Sequence, residues 1–149
     1  TNTMHKVAPQ IQSRISIPLI HIADATADAL ENAGVKTVAL LGTKYTMTQD
    51  FYKNKLTDRG IRVIVPDEPD IETVNRVIYD ELCRGIISPD SRHAYTEIIG
   101  KLKANGARGV ILGCTEIGLL IHQEDSPLPV FDTTVIHARK AALLSVRCP

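Results

Sequence analysis

Short, wholly apolar runs alternate along this chain with segments whose apolar positions recur every three or four residues. Thr37–Leu41 (TVALL), residues 61–65 (IRVIV) and Val110–Leu112 read as buried strands. The last of these follows a helix stop at Asn105-Gly106. Val130-Phe131 predicts a short strand, and residues 17–22, with Pro18 near their beginning, a further one. Between the strands lie helical patterns. Val7, Ile11 and Ile15 stand at four-residue spacing, with Pro9 in the first turn. Asp24 or Thr26 caps a helix through Ala27 and Leu30 that stops at Asn32/Gly34. Thr46, with Gln49 as a capping-box partner, opens one carrying Phe51, Tyr52 and Leu56. Asp70 caps a stripe of Ile71, Val74, Ile78 and Leu82 that Gly85 ends. Ser88-Pro89 starts a helix that buries Ala94, Ile98 and Leu102. Asp132 or Thr133 caps the last, through Ala138, Ala142 and Leu143.

Alternating strands and helices, with strands apolar along their whole length, predict an α/β fold: a parallel four-stranded sheet with helices on both faces. At 149 residues a single core is expected, and 44% apolar residues suffice to build it. Seventeen basic residues balance seventeen acidic ones, so no electrostatic argument favours nucleic acid or an anionic membrane. No apolar run approaches the roughly 18 to 20 residues of a membrane span. Three cysteines at wide spacing (Cys83, Cys114, Cys148), without a CxxC pair, suggest neither a zinc site nor a disulfide framework, and a reducing cytoplasm is the simplest location. The five histidines show no ligand spacing; His93 reads as helix surface, and His137 could face a cleft. Dinucleotide and P-loop signatures are missing, so nothing supports a bound nucleotide.

In an open parallel sheet, ligands bind beyond the carboxyl ends of the strands. There Val110–Leu112 delivers Gly113-Cys114-Thr115-Glu116: a thiol, a hydroxyl and a carboxylate in a row. TVALL delivers Gly42-Thr43-Lys44-Tyr45-Thr46, two hydroxyls before a helix N-terminus suited to an anion. The plainer readings are a buried cysteine acting as a small hydrophobe and Thr46 acting only as a cap. Thr1-Asn2-Thr3 has the same texture as the cysteine cluster, and such side chains with backbone N–H groups can hold a carboxylate without a metal.

GVILGCTEIGLLI, with TNTMH, LLGTKYT and FDTTVIHA, resembles the aspartate/glutamate racemase superfamily, and the resemblance spans nearly the whole chain. It implies proton exchange at an amino acid's α-carbon without pyridoxal phosphate, in a cleft between two similar α/β domains. It makes Cys114 the general base and Thr1 the proton donor on the opposite face. Asn2, Thr3, Thr43, Thr46 and Thr115 would ring the substrate's carboxylate and amino group, and Glu116 would orient the Cys114 side. A cytoplasmic homodimer acting on L- and D-aspartate or glutamate is implied.

The chain departs from the family pattern at Thr1, where the usual residue is a second cysteine. A hydroxyl is a far weaker acid than a thiol near pKa 8.5, so Thr1 donates a proton more readily than it removes one. The resemblance is therefore to the Thr/Cys branch that prefers L-substrates. It also implies that residues 1–14 are a remnant of a first domain, 15–128 the second domain, and 129–149 a strand and helix returning to the first. A related isomerase or decarboxylase of a small dicarboxylate, or a non-catalytic fragment that binds a carboxylate or a partner chain, are the alternatives.

Overall fold

Strand residues in this chain alternate between two separate apolar layers. Val38, Leu40 and Ile111 belong to one, and Ala39, Leu41, Val110 and Leu112 to the other. A strand that faces protein on both sides has no use for polar positions, which is why these runs are apolar throughout. In the computed structural model, which describes residues 1–146, the strands are β1 (Thr37–Leu41), β2 (Arg62–Ile64), β3 (Val110–Leu112) and β4 (Val130–Asp132). All three pairings are parallel and the order is β2-β1-β3-β4.

The helices are α1 (Ala8–Gln12), α2 (Ile22–Asn32), α3 (Lys44–Thr48), α4 (Asp50–Thr57), α5 (Glu68–Asp80), α6 (Pro89–Ala104) and α7 (Thr133–Ser145). Ile71, Val74 and Ile78 of α5 and Ile98, Ile99 and Leu102 of α6 cover one sheet face. Ile22, Ala23, Ala27 and Leu30 of α2 with Tyr52 and Leu56 of α4 cover the other. The β1-to-β2 connection thus runs over one face and the β2-to-β3 connection over the other. Right-handed crossovers that step outward in opposite directions must do this. The chain reverses direction across the sheet between β1 and β3, which opens a crevice at their carboxyl ends.

Residues 17–22 do not form a strand. Ile17 is 69% exposed, Pro18 has no N–H to donate, and Ile22 already opens α2. The cap of α2 is the His21 ring, which accepts from the Ala23 N–H at 3.2 Å, rather than Asp24 or Thr26. The expected helix over Val7, Ile11 and Ile15 is a 3-10 turn (Thr3–Val7) followed by the short α1, and all three side chains stay largely exposed. Two caps lie nearer the N-terminus than the spacing suggested, and the expected capping box does not form. Thr43, not Thr46, caps α3; Gln49 is extended and divides α3 from α4; Asp67, not Asp70, caps α5. At Thr43 and Asp67 a side-chain oxygen accepts from the free N–H three residues on, while Gln49 makes no side-chain cap bond. Ser88 and Asp132 cap α6 and α7, and Gly34, Gly60 and Gly85 take the left-handed backbone of their turns.

His137 Nε2 lies 2.7 Å from the Ile20 carbonyl oxygen, which ties α7 to the segment ahead of α2. Lys140 adds an ion pair to Asp28 of α2 at 3.0 Å. Beyond these contacts α7 leaves Val135, Leu143 and Leu144 exposed. Cys148 lies outside the described residues. Among those residues no helix is long and apolar enough to cross a membrane.

Candidate active site

β1 and β3 end on glycines that let their exit loops touch. The Gly113 N–H donates to Leu41 O at 2.6 Å, and a Cβ on Gly113 would stand 2.8 Å from that same oxygen. On Gly42 a Cβ would meet Gly113 O at 3.1 Å and the Thr46 side chain at 3.2 Å. Only a residue without a side chain allows this approach. The two polar clusters read from the sequence, one after each strand, are thereby placed side by side.

The Thr1-Asn2-Thr3 segment joins them. Thr1, Asn2, Thr3, Thr43, Cys114, Thr115 and Glu116 line one cavity of about 360 Å³. Thr46 does not line it. It is fully buried, its hydroxyl 3.2 Å from that of Thr43 and 3.5 Å from that of Thr3, so it braces both from behind. Thr43 spends a lone pair on the Thr46 N–H at 3.3 Å. Asn2 is 3% exposed; its Nδ2 donates to Thr133 Oγ1 at 3.0 Å, while its Oδ1 has no donor within reach.

Cys114 is half-buried and its Sγ donates to Glu116 Oε2 at 2.9 Å. Thr115 Oγ1 donates to the same oxygen at 2.7 Å. Burial and this hydrogen bond to a carboxylate push the thiol up to about 12. Burial by itself would raise Glu116 as well, but the donations from Cys114 and Thr115 outweigh it and hold the carboxyl below its ordinary value. At neutral pH the pair is therefore a thiol and a carboxylate, with the proton on sulfur. A thiol beside a ring of hydroxyls and one amide can give or take a proton at carbon and hold a carboxylate nearby.

The part of the remaining wall that comes from α5 and the turn after it was not legible in the sequence. Gly113, Tyr45, Ile78, Tyr79 and Cys83 complete the lining, with no Asp, Glu, Lys, Arg or His among them. Tyr45 sits in the GTKYT loop already singled out. Tyr79 and Cys83 lie at the end of α5 and in the 3-10 turn after it (Leu82–Arg84), where only the tertiary packing of α5 points them at the crevice. A larger depression of about 530 Å³ lies against α6, lined by Ile87, Pro89, Arg92, His93, Thr96 and Asp125. Its polar groups are already engaged with one another: Arg92 pairs with Asp125 at 3.4 Å and Thr96 Oγ1 donates to Asp125 O at 3.1 Å. None of its lining residues belongs to the segments 42–46 and 113–116 that leave β1 and β3, so the smaller cavity is the candidate site. Among the described residues no group of three or more His, Cys, Asp or Glu is placed to hold a metal ion.

The chain is similar to known proteins over nearly its whole length. The profile of the Asp/Glu/hydantoin racemase family matches residues 1–141. A crystal structure of a proposed Asp/Glu racemase from Yersinia pestis is 55% identical and superposes with a TM-score of 0.93 over 98% of this chain and 64% of that one. An aspartate racemase homologue from Pyrococcus horikoshii is 39% identical, with a TM-score of 0.90 over the same shares. The broad specificity amino-acid racemase RacX of Bacillus subtilis is 25% identical over 93% of this chain and 59% of its own. The chain thus spans somewhat under two thirds of the length of these three relatives. With that profile matched over residues 1–141 and a crystal structure 55% identical over 98% of the chain, the chain belongs to the Asp/Glu/hydantoin racemase family.

Proposed function

We propose that the protein is a cofactor-independent amino-acid racemase whose chemistry runs through Cys114. The observation that carries this reading is the Cys114–Glu116 pair at the crevice, facing a cavity lined by Thr1, Asn2, Thr3, Thr43 and Thr115. The substrate's α-carboxylate meets hydroxyls and its ammonium meets the Glu116 side. That ammonium offsets the negative charge that helps keep the proton on sulfur, so substrate itself eases Cys114 toward its basic form. Once the Cys114 proton has passed along its hydrogen bond to Glu116, the thiolate takes the α-proton, donors around the carboxylate share the developing negative charge, and the Thr1 hydroxyl returns a proton from the other face. Thr46 acts from behind by fixing Thr3 and Thr43.

Aspartate and glutamate are the substrates this reading favours. The uncharged wall of Tyr45, Ile78, Tyr79 and Cys83 supports a broader range as well, including amino acids with neutral side chains. Residues 1–14 and 129–149 carry Met4, Ile11, Val135, Leu143 and Leu144 exposed to solvent. This supports assigning them to a face against which a further domain packs, with residues 15–128 as the second domain. The cytoplasmic homodimer belongs to the same reading and rests on the family alone.

The test is α-proton exchange in deuterated water with L-aspartate and L-glutamate, without added pyridoxal phosphate. Exchange should fall about 10²- to 10⁴-fold in Cys114→Ala, the usual cost of losing a general base. Equal exchange in the variant and the parent would remove Cys114 from the mechanism. No exchange with any amino acid would favour a related isomerase or decarboxylase, or a chain that only binds.

A further inference from the structure

Asn2 presents a problem of polarity that one residue solves. An amide side chain can face a neighbour with either its oxygen or its nitrogen, and the two orientations offer a ligand opposite chemistry. Here the neighbour is Thr133, fully buried at the start of α7. The Thr133 hydroxyl has one proton, and it donates that proton to the Leu112 carbonyl oxygen at 2.8 Å. A carbonyl can only accept, so this bond leaves Thr133 Oγ1 with nothing but lone pairs for Asn2. The Asn2 amide must then turn its nitrogen to Thr133, which it does at 3.0 Å, and its oxygen the other way. That oxygen is buried among the cavity-forming groups without any donor. An orphaned buried acceptor is costly, and an arriving donor would satisfy it.

Thr133 is not needed for the helix it begins. Asp132 caps α7 by accepting from the N–H groups of Thr134 at 2.8 Å and Val135 at 3.2 Å. The Thr133 hydroxyl is therefore free to serve the link from Asn2 to Leu112, the strand residue two places before Cys114.

We propose that Thr133 is a positioning residue that fixes the Asn2 amide with its oxygen as an acceptor, so that the site recognises a ligand carrying a donor, the ammonium group of an amino acid, over the same acid without one. The recognition half of this proposal rests on the amino-acid reading above; the orientation of Asn2 does not.

Two measurements on the full-length protein test it. The first is solvent exchange of the Asn2 side-chain NH₂, followed by ¹⁵N NMR without ligand. Slow exchange is expected in the parent and in Thr133→Ser, with at least about tenfold faster exchange in Thr133→Val. Fast exchange in the parent would overturn the orientation whatever the activity, and this arm needs no variant to fold. The second compares L-aspartate with succinate, its analogue lacking the ammonium group, as ligands. In Thr133→Val the dissociation constant for aspartate should rise about ten- to a hundredfold and that for succinate should hold, with Thr133→Ser restoring aspartate. Equal weakening of both ligands, or of neither, would overturn the recognition. Slow Asn2 exchange in a protein that binds no amino acid would sink the amino-acid reading and the recognition with it, and leave the orientation standing.

Discussion

Cys114 Sγ and Glu116 Oε2 stand 2.9 Å apart, with the thiol as donor and the carboxylate as acceptor. The two residues are separated by a single position, so local backbone alone brings them together. The environment then assigns the proton: burial and the Glu116 charge both favour the neutral thiol.

Replacing Glu116 with Gln removes the charge but leaves the burial. The thiol, pushed up to about 12 in the parent, should therefore titrate lower in Glu116→Gln yet stay above the ordinary value of about 8.5. Thiolate absorbance against pH, with a Cys114→Ala background subtracted, reads this directly. An unchanged midpoint would mean that Glu116 does not act on the thiol.

The same pair sets two edges of stability. The folded Cys114 value is raised, so its contribution is fully present below the unfolded value of about 8.5 and is lost as pH climbs from there toward about 12. The folded Glu116 value is lowered, so its contribution is present above the unfolded value of about 4.3 and is lost as pH falls through the folded one. Urea unfolding of Cys114→Ala should show a flatter decline than the parent between about pH 8.5 and 10, before the buried tyrosines Tyr52 and Tyr95 add their own alkaline loss. A parallel decline in both proteins would refute the assignment.

Two glycines outside the turns should respond oppositely to alanine. A methyl on Gly113 would press on Leu41 O at 2.8 Å and Leu40 Cδ1 at 3.0 Å, so Gly113→Ala should destabilise by about 1–3 kcal/mol and disturb the Cys114 loop. A methyl on Gly100, in the middle of α6, would meet nothing within 4 Å, so Gly100→Ala should stabilise by about 0.5–1 kcal/mol. Thermal melts of the two variants decide it, and a stabilising Gly113→Ala would contradict the close approach of the strand ends.

Tyr95 is fully buried, and its hydroxyl donates to the Val74 carbonyl of α5 at 2.9 Å. Burial holds that hydroxyl well above the ordinary tyrosine range, so it is neutral throughout the working pH. Tyr95→Phe should cost about 1 kcal/mol in denaturant unfolding, the worth of one net hydrogen bond. A gain in stability would show that the bond does not repay the burial of the hydroxyl.

Residue order alone determined the alternating architecture. Strands buried on both faces must be apolar throughout, and TVALL and GVIL declare themselves by that. It also placed Cys114, Thr115 and Glu116 at a strand end, and the neighbouring residues made their contacts local. Tertiary structure decided what the chain's spacing could not express. Residues 17–22 have a strand's composition, but Pro18 supplies no N–H and α2 begins too early for a fifth strand to pair. Whether a given hydroxyl caps a helix or faces a cavity depends on which free N–H lies nearest in space, which moved the cap from Thr46 to Thr43 and put Thr46 behind the wall. The polarity of Asn2 is settled 131 positions away by a hydroxyl whose own proton is already committed to Leu112. A hydrogen-bond chain of that length in sequence exists only once β3 and β4 have paired, Leu112 opposite Asp132, and the N-terminal segment has docked beside them.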